Sequence, residues 1–185
     1  EIVDSIALLT PVFERLRQVR AGLSEDTVRI VHIGDSHVRG HIYPQTTGAR
    51  LIETFGAVSY IDKGVNGATC LTFTHPDRKL LQDSLPNVSI LLTTPPGSYE
   101  SFRQRRRRRT YAVNPRTATA SETIRRYAKE HRLLVWDMYD VVGGKRRACV
   151  NWTEAKLMRP DHVHYLPEGY ILQGNLLYQA IIQAY

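Results

Sequence analysis

The chain has 185 residues, which suits one domain with a core of its own. Hydrophobic residues make up 42% and charged residues 23%, a globular balance, and no apolar run nears the ~18 residues that cross a bilayer. The formal charge is +7, and Arg103 together with Arg105 to Arg109 concentrates six arginines within seven residues, a density that raises the question of an acidic partner.

No leader pattern precedes the first helix; a trimmed chain would read the same way, so compartment is not decided here. From Asp4 to Leu23, Ile6, Leu9, Val12, Phe13, Leu16 and Val19 recur at helical spacing, with Pro11 a candidate start. Thr27 to Ile33 is a β-branched run that ends in Gly34-Asp35-Ser36, a buried strand entering a tight turn. His41 to Phe55 reads as a helix closed by Gly56. Ala57 to Ile61 reads as a strand, followed by the glycine-rich turn Lys63 to Gly67.

Asp77 to Leu85 is expected to be helical, and Val88 to Thr93 a strand stopped by Pro95-Pro96. Ser98 to Arg116 carries little apolar content and reads as a long basic loop. Thr117 to His131 is a helix with Ala120, Ile124, Tyr127 and Ala128 on one side. Leu133 to Met138 is a strand, and Pro167 to Tyr185 a closing amphipathic helix. Strands alternating with helices, without internal repeats, predict a single α/β domain with a mainly parallel sheet covered on both faces. Ligands in such sheets bind beyond the carboxyl ends of the strands, which gathers Ser36, Gly67, Pro95 and the arginine stretch on one edge.

Cys70 and Cys149 form no CxxC pair, so neither a zinc nor a thioredoxin-like site is indicated. Two ordinary buried thiols and a single disulfide both remain open readings. The arginine stretch has three: a solvated loop, a rim for an acidic glycan or carboxylated substrate, or a nucleic-acid patch. The last needs stacking partners, and only Phe102 and Tyr111 flank the run, so nucleic acid is not expected.

Ser36 stands where a strand ends. A serine hydroxyl is a weak nucleophile until a base takes its proton, and a helix beginning there can direct backbone N–H groups toward a developing oxyanion. An ordinary helix-capping serine is the competing reading. Asp161-His162-Val163-His164 supplies an imidazole able to act as base near neutral pH, and a carboxylate three residues earlier that can orient it. Surface histidines, or a metal held by His162 and His164, are the alternatives. The spacing suggests no third metal ligand, so neither metal nor cofactor is expected.

Three blocks in order, Gly34-Asp35-Ser36-His37, then Gly64-Val65-Asn66-Gly67-Ala68-Thr69, then Asp161 to Tyr170 (DHVHYLPEGY), resemble the GDSL/SGNH hydrolase family, most closely its secreted members from Bacteroidetes. The resemblance runs from about Arg29 to Tyr185. It implies a flavodoxin-like three-layer α/β/α sandwich with a mainly parallel sheet. It implies Ser36 as nucleophile, His164 as base and Asp161 as its partner, with the N–H groups of Ser36 and Gly67 as oxyanion donors. It also implies a secreted or periplasmic location and a small-molecule or glycan ester as substrate. His37, Asn66, Arg103 and Arg105 are candidates for substrate contact.

The family's remaining block, a strand ending in Gly-x-Asn whose asparagine completes the oxyanion site, has no counterpart here. The stretch between Gly67 and Val88 fits one crossover helix, and a further strand and crossover needs roughly thirty more residues. The expectation is a segment absent near Arg78–Leu81, with Asn66 or Asn114 as substitute donors. The functions to weigh are a carbohydrate-directed O-acyl esterase, a lipase or acyl-thioesterase on the same residues, and a non-catalytic glycan-binding relative.

Overall fold

A computed structural model describes residues 1–67, 87–103 and 109–185. The expected helix Asp77–Leu85, the segment near Arg78–Leu81, Cys70 and Arg105 lie outside the described residues.

The described strands are β1 (Ile2–Val3), β2 (Val28–Gly34), β3 (Val58–Gly64), β4 (Leu91–Thr93), β5 (Tyr99–Phe102), β6 (Thr110–Val113) and β7 (Leu134–Trp136). The described helices are α1 (Thr10–Arg20), α2 (Ser36–Arg39), α3 (Ile42–Phe55), α4 (Pro115–Glu130), α5 (Met138–Val141), α6 (Gly144–Glu154) and α7 (Pro167–Ala184). β2 and β3 pair in parallel from Val28↔Val58 to Gly34↔Gly64. β4 pairs in parallel with β7, and β1 adds an antiparallel edge to β7. Among the described residues no strand joins β2 to β4, so the parallel strands stand as two pieces.

Several expectations shift. The first helix starts at Thr10 because the Asp4 carboxylate accepts from the Leu8 and Leu9 N–H groups at 2.8 and 2.9 Å, folding the chain into a turn before Pro11 enters the first helical turn. The supposed loop from Ser98 contains an antiparallel hairpin, β5 with β6, in register from Tyr99↔Val113 to Phe102↔Thr110. Each strand carries one tyrosine, Tyr99 and Tyr111, and the intervening arginines obscured the pattern in the sequence. Helix α6 was not anticipated either: its buried Ala148, Cys149 and Trp152 are short apolar marks among basic neighbours. Cys149 is buried with a free thiol.

The core has three parts. Phe13, Leu16, Val28, Leu51, Phe55 and Val58 join α1 and α3 to the β2–β3 pair. Ala128, Leu133 and Val135 join α4 to β7. The largest part, with Val38, Tyr43, Trp136, Met138, Trp152, Tyr165, Tyr170 and Leu177, brings together α2, α3, α6, α7 and the end of β7. Fully burying a side chain such as Leu51 or Phe55 contributes ~1.5–3 kcal/mol, so these contacts outweigh the short strands' own ladders. At Gly174 a Cβ would lie 2.6 Å from Thr46 Cβ and 2.8 Å from the Tyr43 carbonyl, so α3 and α7 approach only over glycine. Thr47, wholly buried, donates across that contact to the Gly174 carbonyl at 3.1 Å.

β2 also directs His32 toward α3. Its Nδ1 lies 2.8 Å from the Tyr60 hydroxyl, and its ring meets Tyr43 edge-on at 4.8 Å. Burial pushes this imidazole down to about 4, against a weaker upward pull from Asp62. Unfolding frees it to protonate at its ordinary value of 6.5. Stability is therefore complete above about 6.5 and declines as pH falls from there toward about 4, by on the order of 3 kcal/mol if His32 acts alone. Urea midpoints taken from pH 7 to pH 4.5 should fall more steeply for the wild-type chain than for His32→Gln. Parallel declines in the two chains would refute this assignment.

Candidate active site

Ser36 is the first residue of α2, immediately beyond β2. The capping role belongs to its neighbour: the Asp35 carboxylate accepts from the His37 N–H at 2.9 Å. The Ser36 side chain therefore has no capping duty, and its Oγ lies 3.0 Å from His164 Nε2. The helix it opens is a single turn from Ser36 to Arg39, before the chain re-enters a helix at Ile42. Any dipole contribution at Ser36 comes from that one turn.

The partner segment is a compact turn between α6 and α7. Asp161 Oδ1 accepts from the N–H groups of Val163 and His164, each at 2.9 Å, and Oδ2 lies 3.0 Å from His164 Nδ1. Burial pushes the Asp161 carboxyl up, but these three hydrogen bonds and the neighbouring imidazole together hold it below the usual carboxylate value. With Nδ1 facing a carboxylate, His164 presents Nε2 toward Ser36 as the proton acceptor. Both ring nitrogens of His164 are engaged, one by Ser36 and the other by Asp161.

His162 turns the other way, at φ 58°. Its ring lies 4.0 Å from the Tyr111 ring and 5.5 Å edge-on from Tyr99. The β5–β6 hairpin grips this turn through the backbone as well. Tyr99 N–H donates to the His162 carbonyl at 2.9 Å, and the Tyr111 hydroxyl to the Pro160 carbonyl at 3.3 Å. Behind the turn, Tyr165 is wholly buried and its hydroxyl donates to the Gly97 carbonyl at 2.6 Å. Trp152 Nε1 donates to the adjacent Pro96 carbonyl at 2.9 Å. The residues just beyond β4 thus anchor the segment that carries His164.

Gly67 lies in the turn after β3, at φ 71°. That turn is held beside Ser36's own: Val65 N–H donates to the Gly34 carbonyl at 2.8 Å. At Gly64 a Cβ would lie 2.2 Å from the Arg39 backbone nitrogen, so only glycine lets the end of β3 approach α2 so closely. Asn66 is exposed in the same turn. Asn114, weighed as a substitute donor, is committed elsewhere: its Oδ1 caps α4 by accepting from Arg116 N–H at 3.0 Å, and its Nδ2 donates to Ser98 Oγ at 3.4 Å. Arg103 is exposed at the end of β5 and Arg109 at the approach to β6. His37 sits beside His164, their ring centroids 5.3 Å apart, with its Nδ1 3.0 Å from the Tyr170 hydroxyl. The tyrosines at 99, 111, 165 and 170 were not assigned a place in the site from sequence. Tyr165 and Tyr170 lie within the third motif block, the only signal that marked them.

No family model matches the chain, and no curated protein matches it. A solved structure of a peptidoglycan O-acetylesterase is similar to it in fold, with a TM-score of 0.79 at 14% identity, covering 99% of this chain and 98% of that one. The chain is therefore a mixed α/β protein whose fold resembles that of an esterase.

Removing the Asp161 charge tests the arrangement. Asp161→Asn should slow labelling of Ser36 by a fluorophosphonate by ~10³ or more, since the imidazole loses both its orientation and the carboxylate that stabilises its charged form. Labelling at the wild-type rate would show that Asp161 does not assist His164.

Proposed function

We propose that this chain is a serine esterase that hydrolyses carboxylic esters, with an O-acyl group, most simply acetyl, on a carbohydrate as substrate. The observation that carries the reading is the run of two 3.0 Å contacts from Ser36 Oγ to His164 Nε2 and from His164 Nδ1 to Asp161. The peptidoglycan O-acetylesterase similar to it in fold supports the substrate class. In this reading the two parallel pieces belong to a three-layer α/β/α sandwich of the SGNH type, and the protein works in the periplasm or outside the cell.

Ser36 Oγ attacks the ester carbonyl as His164 Nε2 takes its proton. The carbonyl oxygen becomes an oxyanion, with the N–H groups of Ser36 and Gly67 as its donors. When the carbon–oxygen bond to the alcohol breaks, His164 returns the proton to the departing alkoxide. Water then attacks the acyl-serine, again losing a proton to His164, and Ser36 is regenerated with release of the carboxylic acid. Asp161 stabilises each imidazolium. Arg103, exposed at the end of β5, serves as a contact for anionic parts of the substrate.

The resemblance leaves the asparagine donor unmatched, which favours a second reading: a glycan-binding relative that keeps the site's layout without turnover. Losing one such donor typically costs ~10²–10³ in rate, which would slow an esterase without abolishing it. Hydrolysis of nitrophenyl acetate separates the two. The wild-type chain should release nitrophenol, and Ser36→Ala should reduce release by ~10³ or more. Equal release from both refutes the assignment of Ser36, and glycan affinity without turnover favours the binding module. A rate that rises with acyl length would redirect the reading to a lipase or thioesterase.

A further inference from the structure

His37 follows the nucleophile directly, yet none of the steps above uses it. Its ring is enclosed by three others: His164 at 5.3 Å, Tyr165 at 5.8 Å and Tyr170 at 5.9 Å between centroids. Nδ1 is tied to the Tyr170 hydroxyl at 3.0 Å. The phenolic O–H of Tyr170 can donate along that contact to Nδ1. A histidine whose Nδ1 accepts carries its proton on Nε2, and Nε2 has no partner among the described residues.

The charges around the ring oppose one another. Burial holds the His37 imidazole below its ordinary value; Asp35 and Asp161 pull it up, and His164 pushes it down. A neutral His37 suits the chemistry, because a second cation beside His164 would resist the imidazolium that forms there.

We propose that His37 is a substrate-contacting residue: its Nε2–H, fixed by Tyr170, donates a hydrogen bond to the alcohol portion of the ester. The inference rests on the esterase reading and deepens it. Position supports the alcohol side. His164 must stand next to the leaving oxygen in order to protonate it, and His37 packs against His164. A sugar presents hydroxyl oxygens beside the leaving oxygen, and each can accept such a bond. An aryl ester has none. The residue therefore discriminates by the alcohol and not by the acyl group.

Two substrates sharing one acyl group test this. For His37→Phe, the loss of kcat/KM on an acetylated sugar should exceed the loss on nitrophenyl acetate by about tenfold, as expected for one lost hydrogen bond. Tyr170→Phe should shift the ratio in the same direction by less. His37→Gln, whose amide N–H can replace Nε2–H, should recover most of the ratio. Equal losses on both esters, or a glutamine no better than phenylalanine, would overturn the proposal. Nitrogen-15 NMR of the ring gives a reading independent of turnover: wild-type His37 should carry its proton on Nε2, and Tyr170→Phe should lose that preference. A protonated Nδ1 in the wild-type chain overturns the proposal even if ester hydrolysis is normal. If the wild-type chain hydrolyses neither ester, the esterase reading falls, and the NMR result still judges the tautomer.

Discussion

The geometry of the site depends on Tyr165. It follows His164 directly, is wholly buried, and donates its hydroxyl to the Gly97 carbonyl just beyond β4. A buried hydroxyl without such a partner would cost on the order of 1–3 kcal/mol, so the bond strongly restricts where the segment can lie. Trp152 packs edge-on against the Tyr165 ring at 4.8 Å and bonds to Pro96, so side chains of α6 and of the Asp161–His164 turn grip one short stretch of backbone. His164 is only partly buried, but its neighbour in sequence is locked into the core. That is how a residue on an irregular turn meets a serine 128 positions earlier at hydrogen-bond distance.

Around that anchor, capping duties are divided so that the Ser36 hydroxyl and the His164 ring stay free for each other. Asp35 accepts from the His37 N–H at the second position of α2, leaving the Ser36 hydroxyl for His164. Asp161 closes its own turn with one oxygen and faces the imidazole with the other. One carboxylate therefore shapes the loop and orients the ring together. The hairpin adds a second brace from the outer side, where Tyr111 lies against the His162 ring. Arg103 and Arg109 are exposed at the two strand ends.

Much of this order was legible in the sequence. The β-branched run into Gly34-Asp35-Ser36 marked the strand and turn, and the 3.6-residue apolar period marked α3, α4 and α7 to within a few residues. The carboxylate three residues before His164 pointed to a local contact, because that span is short enough for chain geometry to decide. The hairpin was not legible. Tyr99 and Tyr111 matter through His162 and Pro160, which lie some fifty or sixty positions away, and six intervening arginines dominate the local composition. The choice of Asp35 over Ser36 as cap was equally hidden, since both residue types cap well and only the backbone path separates them.

By itself, then, the sequence determined the alternation of strands and helices, the glycines where β3 meets α2, and the residue types placed at the strand ends. Each of these rests on local backbone preference or on the spacing of apolar residues. Tertiary structure alone decided that His164 faces Ser36 while His162 faces a pair of tyrosines, and that His37 is tied to Tyr170. Those outcomes depend on which buried hydroxyls and rings find partners across the core, and the residues they join are separated by up to 133 positions in the chain.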